Sequence, residues 1–238
     1  MEWQLAAVLV TVFFGFLVST MCGVGGSILL TPALALIFPI EMAVAVSAPV
    51  MIFHSLSKAI VFVKHIQWTI CLFVLLGSIP GIIGGAMLLS SLPVNIIRWV
   101  VVIFILFSAF LKFKPIETKG KFKYILILGG GVYGFVSGIS GAGGPVKAAV
   151  LSKFNISSYS FVGTTAFISL GSACLRTVFY FKTGLFPSNA SLIILQLTLV
   201  SLSAIGIGYY FQRFVSPAGF LWILRTALFL ACVNLLLK

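Results

Sequence analysis

Two cations stand inside apolar runs, and each has a polar neighbour one helical turn before it. Lys58 follows His54 by four residues, and Arg176 follows Ser172 by four. At that spacing both members of a pair share one helix face. A guanidinium or ammonium beside an imidazole or hydroxyl is chemistry for holding a small oxyanion. Upstream of each pair lies a glycine-rich stretch, CGVGGS at 22–27 and SGAGGP at 140–145. Each glycine weakens a helix by about 1 kcal/mol relative to alanine. A break of this kind followed by a short helix leaves backbone N–H groups unpaired at a helix N-terminus, where an anion is favoured. Gly23, Gly25, Gly26, Gly141, Gly143 and Gly144 are therefore the candidate anion cradles, with Lys58, Arg176, His54 and Ser172 as candidate side-chain ligands. Two alternatives stay open at this point. The glycines could serve close helix packing alone, and Lys58 and Arg176, some six residues from the ends of their helices, could snorkel to the membrane surface.

The elements that must position these groups are membrane helices. The chain has 238 residues, of which 61% are hydrophobic and 8% charged, with mean hydropathy +1.24. Soluble domains carry about 25% charged residues. A core of this size cannot hide so much apolar surface from water, whereas a bilayer can. The net charge is +12. It is read as a topology signal beside anionic headgroups rather than as a nucleic-acid surface, because it gathers where loops belong: Lys112, Lys114, Lys119, Lys121 and Lys123 form one run. Cys22, Cys71, Cys174 and Cys232 form no C-x-x-C pair and no cluster with metal spacing. No cofactor is implied. The start, Met1-Glu2-Trp3, lacks a basic n-region, so the first apolar segment is expected to be retained as a span.

A span needs roughly 20 apolar residues. Eight segments meet or approach this: about 4–22, 42–63, 67–88, 94–112, 123–140, 158–181, 188–210 and 216–237. Trp68, Trp99 and Trp222 lie near their ends, as interfacial anchors do. Two pieces, 27–38 and 145–156, are too short to cross and are read as re-entrant or half-spanning helices, which persist at membrane depth when protein or a watery cavity surrounds them. Lys147, in the second piece, is a third candidate cation for the site, with an interfacial position as the favoured reading; Lys153 is read as interfacial.

The chain also repeats. VSTMCGVGG at 18–26 matches VSGISGAGG at 136–144, an offset of 118 that continues without a gap: Val44 meets Val162, Ala48 meets Ala166, Lys58 meets Arg176, and Lys64 meets Lys182. The expected fold is an all-α polytopic membrane protein of two structural repeats. Each has about four transmembrane helices plus one short helix after the glycine break. The first is 1–112, the Lys-rich cytoplasmic linker 113–122, and the second 123–238. With eight crossings both termini lie on the cytoplasmic side; if the short pieces also cross, each half has five crossings and the halves are inverted. Gly77, Gly81 and Gly85, and Gly130, Gly134 and Gly138, follow the small-xxx-small pattern of close membrane helices. Residues 129–134, GGGVYG, match a dinucleotide fingerprint but follow no strand, so that reading is set aside. Arg98 and Arg225 are read as snorkelling side chains. Glu41 and His54 are the candidates for carrying a proton.

VSTMCGVGGSILLTPAL and VSGISGAGGPVKAAVL, together with KHIQW at 64–68, resemble the paired glycine motifs of the sulfite exporter TauE/SafE family, also called the toluene sulfonate uptake permeases. Where the family commonly has three consecutive glycines, this chain has Gly25-Gly26-Ser27 and Gly143-Gly144-Pro145, and Val150 stands at the place matching Pro32. The resemblance implies a secondary transporter, in a bacterial inner membrane, for sulfite, a sulfonate or another sulfur-containing anion, working by alternating access with a proton or another coupling ion. An anion channel on the same architecture is the alternative. With two histidines, three acids and no clustered nucleophile–base pair, the chain has no catalytic residues to offer and is not read as an enzyme. Its expected partners are the small anion and the lipid bilayer; the oligomeric state is left open.

Overall fold

The structure is a computed structural model that describes residues 2–23, 26–93, 95, 96, 99, 103, 122–154, 156–187 and 190–211. Among these the regular elements are eight α-helices and one 3₁₀ turn. They are α1 (Glu2–Cys22), α2 (Gly26–Leu34), α3 (Ile40–Val61), α4 (Trp68–Ser91), α5 (Phe122–Ser140), α6 (Gly144–Leu151), α7 (Ser158–Lys182) and α8 (Ala190–Phe211). The 3₁₀ turn, Val63–His65, links α3 to α4. Six helices are long and apolar enough to cross a membrane: α1, α3, α4, α5, α7 and α8. The expected spans at 94–112 and 216–237, the linker at 113–122, Gly25, Arg98 and Arg225 lie wholly or almost wholly outside the described residues.

Glycine and proline chemistry sets the boundaries. α1 ends where Gly23 takes φ +76°, and α5 ends where Gly141 takes φ +70°, a backbone that costs an L side chain about 1–2 kcal/mol. α2 and α6 begin three residues later, at Gly26 and Gly144, with Pro145 in the first turn of α6, where a missing N–H is harmless. Both short helices stop sooner than the sequence pattern predicts, because both tighten at the end. Leu36 and Ile37 donate to the carbonyls three residues back, Ala33 and Leu34, and Lys153 and Phe154 do the same to Val150 and Leu151. α2 has 9 residues and α6 has 8, so at 1.5 Å per residue neither exceeds about 14 Å. That is about half of the ~30 Å a span needs. α3 starts after Pro39, and α7 after Ser157, whose hydroxyl accepts the Ser160 N–H at 3.2 Å as an N-cap.

Packing is built from helix pairs: α4 on α5, α3 on α7, α1 on α8, α4 on α7, and α3 on α8; α1 also packs on α2, and α5 on α6. Exchanging α1–α4 with α5–α8 maps each of these pairs onto another of them or onto itself. The α4–α5 pair meets backbone to backbone. A Cβ on Gly77, Gly81 or Gly85 would collide with the main chain of Ile127, Gly131 or Phe135, and one on Gly130, Gly134 or Gly138 with that of Val74, Ser78 or Ile82. These glycines are what allow the approach. Their outward neighbours, Leu72, Leu76, Met87, Leu128 and Val132, are exposed apolar side chains suited to lipid.

Candidate functional site

The two glycine breaks point into the bundle, and each packs against the opposite half of the chain. A Cβ on Gly23 would lie 2.9 Å from Thr165 Oγ1 and 3.0 Å from the Phe161 ring, both on α7. A Cβ on Gly141 would lie 2.9 Å from Thr31 Oγ1 on α2, 3.1 Å from Ser47 Oγ on α3, and 3.4 Å from Arg176 Nη1 on α7. Ser47 and Thr165 are themselves 118 positions apart. Gly26 packs on Phe16 and Ser19, and Gly143 on Ser137 and the Tyr133 ring. Gly144 opens α6 and is buried. The N-cap position of α6 is Gly143, which has no side chain to cap the first turn.

Both candidate cations are inside the protein rather than at its surface. Lys58 is 3% exposed and Arg176 2%. Lys58 Nζ donates to the main-chain oxygen of Ser19 at 3.1 Å and to its hydroxyl at 3.0 Å. Arg176 Nη1 donates to the main-chain oxygen of Ser137 at 3.5 Å. The same two carbonyls accept the N–H groups of the break glycines, Gly23 at 2.9 Å and Gly141 at 3.0 Å. Each cation is thus tethered to the C-terminal end of a broken helix, where the macrodipole supplies roughly half a negative charge. That attraction orients the cation. Among the described residues the buried Arg176 Nε hydrogen has no partner.

His54 is fully buried, stacked on Phe16 at 4.2 Å between ring centroids, with Nε2 3.4 Å from Ser19 Oγ. Among the described residues its Nδ1 has no partner, nor has the buried hydroxyl of Ser55. Ser172 is already engaged: its hydroxyl donates to Ser169 O at 3.1 Å and lies 2.6 Å from the Tyr133 hydroxyl. Of the sequence candidates, Gly23, Lys58 and His54 gather around Ser19, while Gly141, Gly143 and Arg176 gather around Ser137. Ser172 stands one helical turn from Arg176, on the Tyr133 side.

Three participants escaped the sequence reading, and a fourth, Lys147, was only its third candidate cation. Lys147, expected at the interface, is 3% exposed. It donates to Thr165 O at 2.8 Å and to Ser169 Oγ, and lies 5.6 Å above the Tyr133 ring. Tyr133 carried no signal beyond being a polar-tipped aromatic in an apolar helix. Ser19 and Ser137 did carry one, since each is the second residue of its copy of the repeated VS motif. The result is a protein-enclosed cluster of three cations, an imidazole and several hydroxyls, ordered around two helix breaks. Such a cluster can bind and desolvate an oxyanion.

The family described as sulfite exporter TauE/SafE matches residues 7–235, nearly the whole chain, and the chain belongs to that family of membrane transporters. No curated protein and no solved structure matches it.

Proposed function

We propose, with that membership as premise, that the chain is a secondary transporter for a small sulfur-containing oxyanion, sulfite or a sulfonate, which it binds between the two glycine breaks and releases by alternating access. The observation that carries this reading is the matched tethering of Lys58 to Ser19 and of Arg176 to Ser137, each on the carbonyl that also receives the break glycine. A cation buried for packing alone would cost several kcal/mol with nothing gained. Here two are buried at corresponding places, each next to a break whose next helix turns its N-terminus inward. Gly23, Gly25, Gly26, Gly141, Gly143 and Gly144 shape the cradle, Lys58 and Arg176 supply charge, and His54 and Ser172 supply hydrogen bonds.

On this reading the chain is two repeats, 1–112 and 123–238, joined by the 113–122 linker, with α2 and α6 as re-entrant helices. The start points of α2 and α6, and of α3 and α7, lie 118 residues apart and support it, as does the exchange symmetry of the helix pairs. Rocking of one set of helices against the other would open the site to each side in turn. The bundle would lie in a bacterial inner membrane with the Lys-rich linker and both termini on the cytoplasmic side, a reading that the charge of the linker supports. A proton or another ion would couple transport to a gradient.

The test is flux in proteoliposomes. Vesicles carrying the purified protein and loaded with unlabelled sulfite should accumulate labelled sulfite against its gradient by exchange, and Lys58→Ala and Arg176→Ala should each lower this at least 10-fold. Conductance without counterflow would make the protein a channel. Full uptake by both variants would remove the site assignment.

A further inference from the structure

The two breaks are alike in backbone and unlike in what faces them. Gly23 and Gly141 stand 118 positions apart, and both hold left-handed backbone. A Cβ on Gly23 would meet one hydroxyl, that of Thr165, and then two carbons of the Phe161 ring at 3.0 and 3.1 Å. The three atoms nearest a Cβ on Gly141 are all polar: Thr31 Oγ1, Ser47 Oγ and Arg176 Nη1. Ser47 is the counterpart of Thr165, so that hydroxyl is common to both breaks. The ring and Thr31 are what differ. At the same offset Phe161 corresponds to Ala43, and Thr31 to Ala149. One break is therefore faced by a hydrocarbon ring, and the other by a guanidinium and a second hydroxyl.

Hydrogen bonding then separates the hydroxyls. Each has one proton to donate. Ser47 gives its proton to Val44 O at 2.7 Å, and Thr165 gives its own to Val162 O at 2.9 Å. Thr31 is fully buried, yet it reaches Ser27 O only at 3.5 Å, well beyond the usual ~2.7–2.8 Å of such a bond. Arg176 is held as loosely: Nη1 reaches Ser137 O at 3.5 Å, and the buried Nε hydrogen has no partner among the described residues. Two buried, poorly used donors thus meet at one glycine, both within 3.4 Å of the same point, close enough for a single oxyanion to bridge them. We infer that Thr31 is a substrate-binding residue. Its hydroxyl donates to an oxygen of the anion that Arg176 holds, and this pair at the Gly141 break is the anion's seat, while Phe161 closes the matching place at Gly23. The inference deepens the anion-site reading above and rests on it.

The experiment is calorimetric titration of sulfite into the full chain in lipid nanodiscs. Thr31→Val removes the hydroxyl at nearly constant volume, and the expected loss of affinity is about 10-fold or more, the worth of one hydrogen bond to a charged group. Thr31→Ser keeps the hydroxyl and should bind within about 2-fold of the wild type. Thr165→Val makes the same change at the other break, where the proton already serves its own helix, and should also stay within about 2-fold. The anion-free melting temperature of Thr31→Val should not fall, since the bond it loses is only the 3.5 Å one. Wild-type affinity in Thr31→Val, an equal loss in Thr31→Ser or in Thr165→Val, or a marked fall in that melting temperature would overturn the proposal. Wild-type protein that does not bind sulfite would overturn the anion-site reading itself.

Discussion

Gly141 and Gly184 offer a controlled pair for asking whether the break glycines belong to the site. Both hold left-handed backbone, φ +70° and φ +71°. A Cβ on Gly184 meets nothing within 4 Å, whereas one on Gly141 meets Thr31 Oγ1 at 2.9 Å, Ser47 Oγ at 3.1 Å and Arg176 Nη1 at 3.4 Å. Alanine at either position incurs about 1–2 kcal/mol of backbone strain. It recovers about 0.4–1 kcal/mol by stiffening the unfolded chain. Gly184→Ala should therefore cost about 1 kcal/mol and leave transport intact. Gly141→Ala adds overpacking of about 1–3 kcal/mol, for a total near 2–4 kcal/mol. The added methyl also displaces the hydroxyls and the guanidinium around it. Scanning fluorimetry in detergent should show the larger melting shift for Gly141→Ala, and sulfite flux in proteoliposomes should fall for that variant alone. Equal melting shifts with equal, unimpaired flux would refute the placement of Gly141 against Arg176 in the transporting protein.

Lys58→Ala and Arg176→Ala should each lower sulfite uptake at least 10-fold, whereas Lys64→Ala and Lys182→Ala, on exposed side chains, should change it less than 2-fold; a radiolabel uptake assay reads both. In the α4–α5 seam, Gly134→Ala should destabilise by roughly 3 kcal/mol or more, because its Cβ collides with the Ser78 main chain. Gly131→Ala meets only the Gly77 oxygen at 3.6 Å and should cost less than about 1 kcal/mol, aided by alanine's helix propensity; thermal melts of the two variants side by side check the contrast.

The parts of this architecture legible in the sequence were those written in rare residues. Glycines clustered at 23–26 and again 118 residues later at 141–144 marked the breaks, and left-handed backbone is what Gly23 and Gly141 adopt. Charges are rare in this chain, so the 118-residue offset pairs Lys58 with Arg176 from the sequence alone. Hydropathy gave the long helices to within a few residues at most ends, because lipid rewards length and apolarity and little else. It could not place Lys147. A short helix bearing two lysines has the same composition whether it rests on a headgroup layer or is enclosed by its neighbours. What encloses it is long-range: Thr165 and Ser169 on α7, and Tyr133 on α5. Nor could periodicity find the tether of each cation to a serine carbonyl, since a main-chain acceptor has no letter. Ser19 and Ser137 were visible as a shared motif, but their part in the site appears only once α3 lies beside α1 and α7 beside α5.

An experimental density map of the protein with thiosulfate bound would test the central claim most directly. Density for the anion should lie between the breaks at Gly23 and Gly141, within hydrogen-bonding distance of Arg176 and one other of the three buried cations. An anion seated elsewhere, with the space between the breaks closed by protein side chains, would contradict the account.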